Sequence, residues 1–164
     1  MQNMTLYIGV AGASQPEPEL VDMAETLGRR LAEAGAIVVC GGGAGVMAAA
    51  CRGAAAVGGI TVGLLPGGNR HDGNPHLSVA LPTGLGEGRN VLLVRASDAL
   101  VAVGGGYGTL SEIALALRTG VPVVGLRTWS LALAGRPVDA FPVASQPDEA
   151  ARLAVGAAEA HANR

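Results

Sequence analysis

Short runs of aliphatic residues alternate along this chain with longer stretches whose apolar positions recur every three or four residues. Residues 6–10, 37–40, 60–65, 99–103 and 121–126 are near-continuous apolar runs of strand length, bounded by glycines or polar residues. Between them, 19–34 places Leu20, Met23, Ala24, Leu27 and Leu31 on one face of a helix that Gly35 stops, and 46–57 reads as a small-residue helix closed by Gly58 and Gly59. Residues 89–97 and 110–118 predict two further helices. A strand near 141–144 precedes a last helix opened by Ser145, with Pro147, Asp148 and Glu149 in its first turn.

Strands that are apolar on both faces and alternate with helices predict an α/β fold, a Rossmann-like doubly wound domain with a mainly parallel sheet. The 164 residues suit one domain, 1–164, and no break in composition marks a boundary. Ligands of such folds bind beyond the carboxyl ends of the strands. The Gly- and Pro-rich stretch 66–88, with one short strand candidate at 77–81, is the most loop-like segment of the chain.

Composition removes several classes of function. All eleven basic residues are Arg, scattered along a chain of net charge −2, so no basic stripe offers itself to nucleic acid. Aromatics make up 2% of the residues, too few for a base-stacking platform of the single-strand-binding kind. There is no run of eighteen apolar residues, and Met1-Gln2-Asn3-Met4 lacks the basic start of a leader, so neither membrane nor export is expected and the predicted location is cytoplasmic. Cys40 and Cys51 stand apart without C-x-x-C spacing, and His71, His76 and His161 share no metal-ligand spacing. These five read as bystanders, with no metal site.

The candidate chemistry lies in two glycine-rich turns. Gly104-Gly105-Gly106-Tyr107-Gly108-Thr109 follows a buried strand and opens a helix, where backbone N–H groups converge and an anion such as a phosphate is favoured. Gly41-Gly42-Gly43-Ala44-Gly45 repeats the arrangement at a second strand end, so the two turns are expected to face one ligand. Neither is a Walker loop, because the chain has no Lys. A dinucleotide fingerprint fits badly, since Gly9 and Gly12 lack the full spacing and Cys40-Gly41 stands where an acidic ribose partner belongs. Thr109-Leu110-Ser111-Glu112 also reads as a capping box, in which Glu112 returns to the Thr109 backbone.

Gly105-Gly106-Tyr107-Gly108-Thr109-Leu110-Ser111-Glu112 resembles the G-G-x-G-T-x-x-E motif of the Lonely Guy (LOG) proteins, cytokinin-activating phosphoribohydrolases often mislabelled lysine decarboxylases. Arg89, 23 residues before Glu112, stands where the family has its motif arginine, and Gly41-Gly42-Gly43-Ala44-Gly45-Val46-Met47 resembles the family's G-G-G-x-x-G-L-M turn. Gly104 replaces a family Pro and Asn90 a family Lys. In these features the chain looks closer to a sister branch of the superfamily that includes a molybdenum-cofactor carrier protein. A PLP-dependent decarboxylase is excluded, because its Schiff base needs a Lys.

The resemblance implies hydrolysis of the N-glycosidic bond of a nucleoside 5′-monophosphate, through an oxocarbenium-like transition state. Gly105, Gly106, Tyr107, Gly108 and Thr109 would hold the phosphate. Glu112 and Arg89 would be the catalytic pair, Arg89 orienting phosphate or ribose unless it is merely a surface ion-pair residue. Gly12, Ser14, Gly42, Gly43, Gly45, Met47, Thr83 and Asn90 would line the ligand. Beside a helix N-terminus Glu112 is expected to be ionised at neutral pH and a poor general acid. No cofactor is implied, the partner is a nucleotide-like small molecule, and a homo-oligomer, dimer or higher, is expected. The alternative is a carrier that binds a phosphorylated ligand such as molybdenum cofactor without turning it over. A DNA-binding domain of the distantly related DprA type lacks its basic stripe here.

Overall fold

The computed structural model describes residues 4–163; Met1 to Asn3, on which the leader expectation partly falls, and Arg164 lie outside the described residues. Seven strands form one sheet: β1 (Tyr7–Gly12), β2 (Ile37–Cys40), β3 (Thr61–Leu65), β4 (Val79–Pro82), β5 (Ala99–Val103), β6 (Val123–Leu126) and β9 (Val143–Ala144). Two short strands, β7 (Leu131–Leu133) and β8 (Arg136–Val138), pair antiparallel in a separate hairpin. The helices are α1 (Pro18–Glu33), α2 (Val46–Ala55), α3 (Arg89–Arg95), α4 (Tyr107–Thr119) and α5 (Pro147–Ala162). The order across the large sheet is β4-β3-β2-β1-β5-β6-β9, and every neighbouring pair is parallel. This is the α/β, Rossmann-like doubly wound arrangement expected from the alternating pattern.

The fold follows from aliphatic residues buried on both sides of the sheet. Ile8, Val10, Val38, Val101 and Val124 face α1, α2 and α5 in one core. Ala11, Val39, Leu100, Ala102 and Val123 face α3 and α4 in the other. With almost no aromatics to fill space, the helices come close. A Cβ on Gly28 of α1 would lie 1.9 Å from the Ala50 carbonyl oxygen of α2, and one on Gly53 of α2 would lie 1.9 Å from that of Glu25. α5 lays a stripe of buried Ala150, Ala151, Ala154 and Ala158 on the same face. Its first helical residue is Pro147, so Ser145 precedes the cap instead of forming it, and Ser145 N–H donates 3.0 Å to Glu149 Oε2.

Topology sets the position of the site. The chain runs outward from β1 through β2, β3 and β4, then returns to place β5 on the other side of β1. The strand order therefore switches between β1 and β5, where Gly12 and Val103 are register partners. The loops leaving these two carboxyl ends diverge to opposite faces and leave a crevice. Among the described residues no helix is long and apolar enough to cross a membrane.

Candidate functional site

α4 begins three residues earlier than its apolar periodicity suggests. Gly106 is its N-cap, no side chain caps it, and Leu110 N–H is the first to return to Gly106 O, at 3.1 Å. The N–H groups of Tyr107, Gly108 and Thr109 are thus left without helical acceptors, at the positive end of a thirteen-residue helix. Gly104 (φ +55°) and Gly105 (φ +122°) make the turn, and a Cβ on Gly105 would strike the Thr109 side chain at 2.5 Å. Thr109 is buried beneath that turn.

With the helix starting at Tyr107, Thr109 is an interior residue and the capping box does not form. Glu112 lies a full turn along α4, buried to 7% exposure, and it makes no hydrogen bond among the described residues. Burial raises its pKa to about 7, against the smaller opposing pull of Arg89. The expectation of an ionised Glu112 at neutral pH is therefore corrected: desolvation outweighs the helix N-terminus, and the group is poised to exchange a proton near neutrality.

Arg89, the first residue of α3, is not a surface ion-pair residue. Its Nη1 donates to Leu64 O at 2.7 Å and to Gly41 O, and its Nε donates to Asn90 Oδ1 at 2.9 Å. The guanidinium thereby ties the carboxyl ends of β2 and β3 together, and Gly41 leaves the space it occupies. Asn90, buried in turn, donates through Nδ2 to Ser111 Oγ at 3.2 Å and links α3 to α4.

A cleft of about 840 Å³ opens between α3, α4 and the loop before α3. Pro66, Glu87, Arg89, Asn90, Tyr107 and Ser111 are among its walls. Tyr107, Gly108, Arg89 and Asn90 are thus brought together as the motif spacing suggests. Gly105, Gly106, Thr109 and Glu112, like Gly12, Ser14, Gly42, Gly43, Gly45, Met47 and Thr83, are not part of this lining. Gly12 instead lets β1 pass Val46 and Val103, and Gly45 (φ +68°) lies against the Ala13 and Ser14 carbonyls. Met47 folds over Gly43, and Thr83 Oγ1 donates to Leu65 O at 2.8 Å. The second glycine turn is filled from the 66–88 segment, where Asn74 N–H donates to Gly42 O at 2.8 Å and its Nδ2 to Gly43 O at 3.1 Å.

Two further features escaped the sequence reading. Cys40 and Cys51 face each other with sulfurs 3.5 Å apart, both buried, and the Cys51 contact with burial pushes the Cys40 thiol up. Trp129, after β6, donates its indole N–H to Gly106 O at 3.2 Å and packs beside Tyr107 with ring centroids 5.8 Å apart. A residue 23 positions past Gly106 gave no signal of reaching it.

A parallel sheet, a helix α4 whose first amides have no helical acceptor, and a cleft between α3 and α4 are the architecture of a Rossmann-like ligand-binding protein. The chain belongs to the SLOG cluster4 family, whose model matches residues 5–153. It is 42% identical over 123 residues to an uncharacterised protein of Archaeoglobus fulgidus, covering 74% of this chain and 80% of that one. Its structure is similar to the molybdenum cofactor binding protein of the phototrophic bacterium Rippkaea orientalis, with a TM-score of 0.86 and 35% identity over 94% of this chain and 98% of that one. It is also similar to the molybdenum cofactor carrier protein of Chlamydomonas reinhardtii, with a TM-score of 0.84 and 34% identity over 96% and 99% of the two chains.

Proposed function

We propose that this chain binds and carries a phosphorylated pterin of the molybdenum-cofactor class, as cargo and without turning it over. The observation that carries this reading is the near full-length likeness to two molybdenum-cofactor-binding proteins at 34–35% identity. The site is consistent with it. The free N–H groups at the start of α4 would take the phosphate, and Arg89 and Asn90, engaged with the protein itself, would shape the cleft without acting on the ligand. Purified protein mixed with molybdenum cofactor and passed through a sizing column should retain it, and denaturation should return it unaltered. Failure to retain it, measured by the fluorescence of the oxidised pterin, would overturn the carrier reading.

One observation favours a second reading. A buried Glu112 with a pKa near 7 is suited to donate a proton to a departing base while water attacks C1′ of a nucleoside 5′-monophosphate. Release of adenine from AMP by the wild type, abolished in Glu112→Gln, would establish it; intact AMP after prolonged incubation would dismiss it.

We also propose that the protein is a homo-oligomer, dimer or higher. The exposed Val91 and Leu92 of α3 and the nearby Leu85 offer apolar surface for self-association. Sedimentation equilibrium at micromolar concentration should show a mass above 16.2 kDa; a monomer there refutes it.

A further inference from the structure

Tyr107 is the most exposed large apolar side chain of the described residues, at 83%, and it stands at the first position of the helix whose N–H groups are free. Such an exposed ring is held in place. One side of it packs against Trp129 at 5.8 Å between centroids and 32° between planes. Trp129 is half-buried and fixed by its bond to Gly106 O, while its neighbour Thr128 donates through Oγ1 to Gly104 O at 2.5 Å. The segment leaving β6 is thus fastened twice to the glycine turn, and the fastening braces Tyr107. Tyr107 is also the one aromatic residue in the lining of the cleft, which it shares with Ser111 and Leu115 of the same helix and with Pro66 after β3.

We propose that the open face of Tyr107 is a stacking platform for a planar heterocycle. The site then selects phosphorylated compounds that carry a fused nitrogen ring, a pterin or a purine, over phosphorylated sugars. This rests on the reading that the start of α4 takes a phosphate, and it adds a role for the side chain of a residue that otherwise offers only its backbone. A tyrosine fixed in this way loses little freedom when a ring stacks on it, and such stacking is strong enough to change affinity by roughly tenfold or more. Ring size and a π-face decide the gain, so a ribose phosphate bound at the same N–H groups forgoes it.

Trp129 is the only tryptophan in the chain, so its fluorescence reports on the Tyr107 ring directly. Calorimetric titration with GMP and with ribose 5-phosphate, on wild type, Tyr107→Ala and Tyr107→Phe, tests the proposal. GMP should bind the wild type at least tenfold more tightly than ribose 5-phosphate and quench Trp129. Tyr107→Ala should bring GMP down to the ribose 5-phosphate level with the latter unchanged, and Tyr107→Phe should retain the difference. Equal affinity of the two phosphates in the wild type, or indifference of GMP to Tyr107→Ala, would overturn the platform while leaving the phosphate site standing. Binding of neither probe would overturn the phosphate reading and the platform with it.

Discussion

Glu112 carries a consequence for stability that its neighbours do not share. Its pKa in the folded protein, about 7, lies above the ordinary carboxylate value of 4.5, so the folded chain holds a proton that the unfolded chain releases. The stabilisation of the neutral form is complete below pH 4.5 and is lost as the pH rises through about 7. Above that, the buried charge costs about 3 kcal/mol at most. Glu112→Gln should therefore be more stable than the wild type in urea at pH 8, and this advantage should vanish on approaching pH 4.5. An advantage of equal size at both pH values would show that packing, not charge, separates the two. The sequence placed Glu112 in the right helix but one turn too early. What it left open was where the helix begins, since a start near Thr109 makes Glu112 a cap and a start at Tyr107 buries it.

At the scale of elements, legibility tracks burial. β2 and β5 coincide with their apolar runs because strands covered on both faces have no polar interruptions. The β7–β8 hairpin gave no such signal: its strands have three residues each and its two-residue turn puts Ala134 at φ +50° before Gly135 at φ +78°. Asn or Gly would have marked that mirror-image turn, and Ala conceals it. Helix packing was legible as composition but not as geometry. Gly28 and Gly53 look like weak points of two helices, yet each sits where the other helix's backbone leaves no room for a methyl group. Gly53→Ala should destabilise the fold by about 3 kcal/mol or more, because a carbonyl on a packed helix cannot retreat. Gly156→Ala on the open side of α5, where an added Cβ meets nothing within 4 Å, should stabilise it by about 1 kcal/mol. Thermal unfolding of the two variants should move in opposite directions. A common direction would mean that helix propensity, not the α1–α2 contact, governs both.

For the whole molecule, the alternating pattern implied a parallel sheet with a site at the carboxyl ends, but the strand order that sets the crevice between β1 and β5 is a long-range property absent from local periodicity. It also decides what the 66–88 segment does. By composition that stretch is the most loop-like of the chain, yet its backbone is fastened along its length. Asn74 bonds to Gly42, Ser78 N–H donates to Thr61 O at 3.0 Å, Thr83 N–H to Leu65 O at 3.0 Å, and Gly86 N–H to Pro66 O at 2.9 Å. Amides with no helical acceptor lie instead in the first turn of α4, beside the cleft. If the cleft takes a phosphate there, hydrogen exchange should slow at Tyr107, Gly108 and Thr109 when molybdenum cofactor is added. The amides of Asn74, Ser78 and Thr83 should be protected already in the free protein and change little. Strong new protection throughout 66–88, with little at α4, would place the response in a closing segment and remove the N-terminus of α4 as the point of contact.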